Sequence, residues 1–327
     1  MEKGRWRAWA SAAALLAALA GCAGSGGRGG MSGMGGIGGI GGIGGTGTGA
    51  VARADTGAEA YPRLRIAYVA FPQAGVERPL PITGQLRVPR VASGRVPAVV
   101  IVHGTNGLDS RGELHAEALN RAGIATLEID LWTPRGIGAG NADSRPRDPQ
   151  ATVPDVFGAF RFLADRPEID PARIGIAGYS WGGVMAMLAS QADLASRFLG
   201  DGRRFAAHNP FYPVCYAYGS PRLPFGRTTG APIRILTGAE DHYDADAGTC
   251  AALVGRLPAE DAARISVKVY PGAMHGFNMR EACTESYVDP AANRGRGGPG
   301  RSCPNPAARA DAMSDSVRFF REAFGMR

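Results

Sequence analysis

The chain has 327 residues, 45% of them hydrophobic, and its 36 lysines and arginines against 29 acidic residues set a formal charge of +7. The arginines are scattered, with no basic run and no aromatic interleaving, so the charge does not point to a nucleic-acid partner. Five cysteines are present, none in a C-x-x-C spacing, which argues against a structural metal site.

The chain opens with Lys3, Arg5 and Arg7, followed by the apolar run AWASAAALLAALA. Basic residues before a short apolar run are the pattern of an export signal, and the run is too short for a comfortable membrane span. Leu19-Ala20-Gly21-Cys22 ends it. This tetrapeptide resembles the lipobox of bacterial lipoproteins. That resemblance implies removal of residues 1–21 and lipidation of Cys22 as the mature N-terminus. Ala23 rather than Asp follows, which by the same resemblance implies the outer membrane, on its periplasmic face. Removing residues 1–21 leaves a charge of +5. The next stretch, to residue 57, is nearly all glycine at first, with a short G-G-I repeat; it cannot bury a core and reads as a flexible tether.

Residues 58–327 have ordinary composition and suffice for one large core. LRIAYVAF and ITGQLRVP read as an opening pair of strands. VPAVVIVHG is a continuous apolar run, as in a strand buried on both faces. RGELHAEALNRAG is an amphipathic helix ending at Gly123, and IATLEIDLW is a strand. VPDVFGAFRFLADRP is a helix opening near Pro154 and stopping before Pro167. RIGIAG is a strand, and WGGVMAMLASQ a helix. RFAAHNPFYP, APIRILTG and ISVKVYPG are further strands. ADAGTCAALVGRL and ARADAMSDSVRFFREAFG are helices. Strands alternating with helices predict an α/β fold with a mostly parallel sheet.

Between the strand RIGIAG and its helix stands GYSWGG, with Ser180 flanked by Gly178 and Gly182. The three-position G-x-S-x-G pattern is weak in a chain with 49 glycines. The strand before and the helix after make it a candidate nucleophile elbow. Residues that act on the same substrate should sit on loops at the carboxyl ends of parallel strands. His103 and Gly104 lead such a loop, where a backbone N–H of Thr105 or Asn106 is placed to share an oxyanion with the N–H of Trp181; His103 itself reads as structural. The loop AEDHYDAD offers Asp241 as the orienting carboxylate, with Asp244 second. His275, just past the last strand, is the candidate base. His115, His208 and His242 read as packed or surface side chains. The order Ser180, Asp241, His275 is the one an α/β-hydrolase requires. Trp132, Phe211, Tyr212, Tyr243 and Phe277 are candidates for an apolar pocket or for core. Cys215, Cys250, Cys283 and Cys303 allow three pairings. Cys215–Cys250 and Cys283–Cys303 are preferred, the second closing a Gly/Pro/Arg-rich excursion.

Taken together, VVIVHGTNGLD, DLWTPRG, DPARIGIAGYSWGG, FYPVC, LTGAEDHYDADAGTC and YPGAMHGFN resemble the dienelactone hydrolase family of α/β-hydrolases. The resemblance implies a triad of Ser180, Asp241 and His275, oxyanion donors at Trp181 and Thr105, and no cofactor. The founding members use Cys where this chain has Ser180, and Glu where it has Gly104. They hold a substrate carboxylate with arginines; Arg135 and Arg280 lie near those stretches, Arg280 offset by one residue. Trp132 and Phe277 are the accompanying substrate contacts. The expected activity is hydrolysis of small-molecule carboxylic esters or lactones through an acyl-enzyme. A peptidase of the prolyl oligopeptidase type, whose elbows GYSWGG also resembles, and a non-catalytic binding lipoprotein are the alternatives.

Overall fold

The structure, a computed structural model, describes residues 63–326 apart from 91–93, 201, 221–222 and 287–288. The expected export signal, Cys22 and the tether lie outside the described residues. Among the described residues no helix is long and apolar enough to cross a membrane.

Eight strands form the main sheet: β1 (Leu64–Pro72), β2 (Pro81–Pro89), β3 (Val96–Val102), β4 (Ala125–Asp130), β5 (Ile169–Tyr179), β6 (His208–Phe211), β7 (Ile233–Gly238) and β8 (Ile265–Tyr270). Their order is β1-β2-β4-β3-β5-β6-β7-β8. β1 and β2 pair antiparallel, and β2 joins β4 antiparallel. From β4 to β8 every pairing is parallel. This is the expected α/β fold.

The helices are α1 (Ser110–Arg121), α2 (Val153–Ala164), α3 (Trp181–Leu188), α4 (Ala192–Leu199), α5 (Thr249–Val254), α6 (Ala259–Ala262), α7 (Ala292–Gly295) and α8 (Pro306–Ala323). They cover both faces of the sheet. Every residue of β3 is buried, and its side chains alternate between two cores. Val100 and Val102 pack with α2, α3 and α4, while Val99 and Ile101 pack with α1 and α8. A strand with no solvent face cannot alternate in polarity, which is why VPAVVIV reads as one apolar run.

Three departures from the sequence expectation have local causes. The strand expected over RFAAHNPFYP shortens to β6, a run that contains Pro210 and stops before Pro213; proline donates no ladder hydrogen bond. The helix expected from Ala245 starts at Thr249. Ala245 is held at φ 56°, and Asp246 Oδ1 captures the Gly248 N–H. The Gly/Pro/Arg-rich excursion after His275, for which no strand was expected, carries a short antiparallel pair, β9 (Thr284–Ser286) and β10 (Gly300–Ser302). The cysteines join as Cys215–Cys250 and Cys283–Cys303.

His208 on β6 is fully buried. Its Nδ1 donates to the Ala186 carbonyl at 3.0 Å, and Nε2 has no partner among the described residues. Burial pushes its pKa down to about 3 from an ordinary 6.5. In the unfolded chain the ring protonates near its ordinary value, so the folded state keeps this stability above that pH. It is lost as pH falls towards the folded value. His208→Leu is expected to flatten the stability–pH curve by about 1.4 kcal/mol per pH unit across the mildly acidic range. Urea unfolding at a series of pH values checks this; an unchanged slope counts against it.

Candidate active site

β5 ends at Tyr179 and α3 begins at Trp181, which leaves Ser180 alone in the turn. Its φ of 53° is left-handed, a conformation that a non-glycine residue keeps only when its surroundings enforce it. Two backbone bonds do so. The Ser180 N–H donates to the Phe211 carbonyl at 3.1 Å, and the Ser180 carbonyl accepts from the Val184 N–H at 2.9 Å. Close packing does the rest. A Cβ at Gly182 would lie 2.0 Å from the Val102 carbonyl oxygen, and one at Gly178 would lie 2.1 Å from the Gly182 carbonyl oxygen. Only glycine permits this approach, and it presses the start of α3 against the end of β3.

Two later loops bring up the other groups. The Glu240 N–H donates to the Ala273 carbonyl at 2.9 Å, tying the loop after β7 to the loop after β8. Asp241 and His275, both buried, project from these loops. Asp241 Oδ1 accepts from the Tyr243 N–H at 2.9 Å, and Oδ2 lies 2.8 Å from His275 Nδ1. His275 Nε2 lies 2.8 Å from Ser180 Oγ. A carboxylate only accepts, so Nδ1 carries the ring proton and Nε2 is left to accept from the Ser180 hydroxyl. The arrangement can draw a proton from Oγ while the carboxylate steadies the resulting imidazolium.

Asp244, the second candidate, does different work. Its carboxylate accepts the N–H groups of Cys215 and Tyr216 at 3.0 and 2.8 Å and so caps the turn after β6. Burial raises its pKa to about 6.

The loop after β3 flanks the elbow. The N–H groups of Trp181 and Thr105 donate to no acceptor among the described residues. The Thr105 carbonyl accepts from Trp132 Nε1 at 2.9 Å, and the Trp132 ring meets Trp181 edge-on at 5.7 Å. Trp132 therefore fixes the loop that carries Thr105. His103 is structural: Nδ1 donates to the Gly104 carbonyl at 2.7 Å, and Nε2 accepts from the Leu131 N–H at 3.0 Å. A Cβ at Gly104 would lie 3.0 Å from Arg111 Nη2, a guanidinium buried against Asp109 and Tyr212. Nothing in the sequence singled out Arg111, which sits in the first turn of an amphipathic helix.

Two of the expected substrate contacts, Arg135 and Phe277, need correcting. Arg135 is committed to an ion pair with the fully buried Asp155, at 2.7 Å, and also donates to the Leu131 carbonyl. Its charge is spent inside the protein. Phe277 is wholly buried among Phe211, Tyr212 and Tyr270, so it is core. The Arg280 side chain is exposed; its N–H donates to Ser110 Oγ and to Glu281, and it bonds to none of Ser180, Asp241 or His275. Tyr212 and Tyr243 flank the His275 ring, with centroids 4.5 and 4.2 Å away. His115 is buried, its Nε2 accepting from Asn278, and His242 is exposed.

A sequence model of the dienelactone hydrolase family matches residues 82–324. The chain is similar to the thiohydrolase aneE of Aspergillus aculeatus, 35% identical over 107 residues, 32% of this chain and 32% of the relative. It is also similar to a "probable 2-oxo-3-(5-oxofuran-2-ylidene)propanoate lactonase" of Bradyrhizobium sp, 30% identical over 107 residues, 31% of this chain and 43% of the relative. The chain thus matches less than half the length of either. Among solved structures, esterase 2 of Thermogutta terrifontis shares the fold with a TM-score of 0.54 at 16% identity, over 78% of this chain and 94% of that one.

The contact at Gly182 is with backbone, which cannot swing aside. Gly182→Ala is expected to destabilise the protein by about 3 kcal/mol or more, because a methyl group must displace α3 from β3. Thermal unfolding measures this, and a midpoint within a degree of the parent's would contradict it.

Proposed function

The chain belongs to the dienelactone hydrolase family, and on that premise we propose that it is a serine hydrolase of small-molecule carboxylic esters or lactones. One observation carries the reading: the run of two 2.8 Å contacts from Ser180 Oγ through the His275 ring to Asp241. Ser180 Oγ attacks the substrate carbonyl carbon and passes its proton to His275 Nε2. The carbonyl oxygen gains the negative charge and faces the unpaired N–H groups of Trp181 and Thr105. Donors aimed at such an oxyanion each contribute roughly 10²–10³ in rate. Collapse of the tetrahedral adduct breaks the C–O bond, and Nε2 returns the proton to the departing alkoxide. The acyl group stays on Oγ. Water then repeats the sequence and frees the acid, so water is the only co-reactant. Asp241 holds the ring in the required tautomer throughout.

The names of the two relatives, a thiohydrolase and a probable lactonase, support a hydrolytic reaction on an acyl substrate. Of the two arginines expected to hold a substrate carboxylate, Arg135 is engaged with Asp155, and Arg280 is exposed and bonds to none of Ser180, Asp241 or His275. This favours uncharged esters and lactones. We further infer export and lipid anchoring at Cys22 to the outer membrane, periplasmic face, on the strength of the N-terminal sequence.

A fluorophosphonate probe is expected to label Ser180, as mapped by mass spectrometry. Ser180→Ala should abolish both labelling and ester turnover without unfolding the domain, and His275→Ala should suppress labelling. Turnover above a few per cent in Ser180→Ala, freed of contaminants, would falsify the assignment. For the anchor, Cys22→Ala is expected to move the protein from the membrane fraction to the soluble one while its esterase activity persists; retention on the membrane would count against lipidation.

A further inference from the structure

The cystine-bounded excursion after His275 touches both loops that bring Asp241 and His275 together. On one side, the Cys303 N–H donates to the His275 carbonyl at 3.1 Å, and the Asn305 N–H to the Phe277 carbonyl at 2.8 Å. Cys303 is itself bonded to Cys283. On the other side, the Asn293 and Arg294 N–H groups donate to the carbonyls of His242 and Tyr243 at 2.8 and 2.9 Å.

Tyr243 lies where these contacts converge. Its N–H holds Asp241 Oδ1, its ring packs on the His275 imidazole at 4.2 Å, and its hydroxyl donates to Asp289 Oδ2 at 2.5 Å. Asp289 is fixed in turn, its Oδ1 accepting from the Ala291 N–H and its own N–H donating to the Gly298 carbonyl. A Cβ at Gly300, at the start of β10, would lie 3.0 Å from the Tyr243 hydroxyl, so this glycine leaves room for the phenol. Burial and the neighbouring carboxylate both raise the Tyr243 pKa, which keeps the phenol a donor.

We propose that Asp289 and Tyr243 are positioning residues: Asp289 anchors the Tyr243 phenol, and Tyr243 sets the His275 ring against Asp241 and Ser180. The proposal rests on the serine-hydrolase reading. Neither residue touches the reacting atoms. Their effect on turnover passes through the orientation of the imidazole, and hence through the nucleophilicity of Ser180. Misalignment of a general base lowers the rate of the chemical step and leaves substrate binding unchanged.

The test measures fluorophosphonate labelling rates and ester kinetics on the purified protein and on Asp289→Ala, Asp289→Asn, Tyr243→Phe and the double variant Asp289→Ala/Tyr243→Phe. Asp289→Ala and Tyr243→Phe are each expected to slow labelling and lower kcat about tenfold, the scale of one hydrogen bond to a charged group, with KM little changed. Asp289→Asn keeps an acceptor and should stay near the parent. The double variant should be no slower than either single one, because both remove the same bond. Labelling and kcat at the parent rate in folded Asp289→Ala or Tyr243→Phe would overturn the proposal. So would an Asp289→Asn as slow as Asp289→Ala, or additive losses in the double variant. If Asp289→Ala does not fold, Tyr243→Phe alone decides. Failure of the parent protein to label at Ser180 would instead overturn the serine-hydrolase reading.

Discussion

The contact of the Val102 carbonyl with the backbone at Gly182 is the constraint on which the rest of the site depends. It brings the end of a fully buried strand against the first turn of α3. Two consequences follow at once. Ser180 is forced into a left-handed turn that a helix or strand would not impose. The loop leaving β3 is brought beside that turn, with Trp132 pinning the Thr105 carbonyl. The N–H groups of Thr105 and Trp181, unpaired among the described residues, are thus placed by this backbone packing together with the Trp132 side chain.

Much of this was legible in the sequence because the features were local. A buried strand, an interrupting glycine-flanked Ser and a small-residue helix lie within fifteen residues, and their meaning does not depend on distant parts of the chain. The alternation of strands and helices placed Asp241 and His275 at strand ends, and those are the loops that meet Ser180. The choice of Asp241 over Asp244 was harder. Both are acidic, close in sequence and buried. What separates them is the turn after β6, whose N–H groups occupy Asp244, and that turn approaches from thirty residues away.

The misjudged residues share a different cause. Arg135 follows a strand end, as a substrate-binding arginine should, but its partner Asp155 sits on α2 and faces inward. Phe277 lies two residues from His275, on the side that turns into the second core. In both cases sequence position near the site was right and side-chain direction was not. Direction is decided by packing against elements far along the chain. Arg111 escaped notice for the same reason. An arginine in the first turn of an amphipathic helix is ordinarily solvated, and this one is buried against Asp109 and Tyr212 beside Gly104.

The two cystines lie outside the sheet. Cys215–Cys250 joins the turn after β6 to α5, and Cys283–Cys303 bounds the excursion beside His275. No strand of the large sheet is tied to another by either bond. The Ser180 elbow itself is held by neither bond: Gly182 packs on the Val102 carbonyl, and the Ser180 N–H donates to the Phe211 carbonyl. Both cross-links lie on the other half: at the Asp244-capped turn beside the Asp241 loop, and on the segment that holds the His275 carbonyl. The hydroxyl side of the site is held by close backbone packing against β3, and the imidazole side carries, beyond its own loop-to-loop hydrogen bond, the two covalent cross-links of the domain.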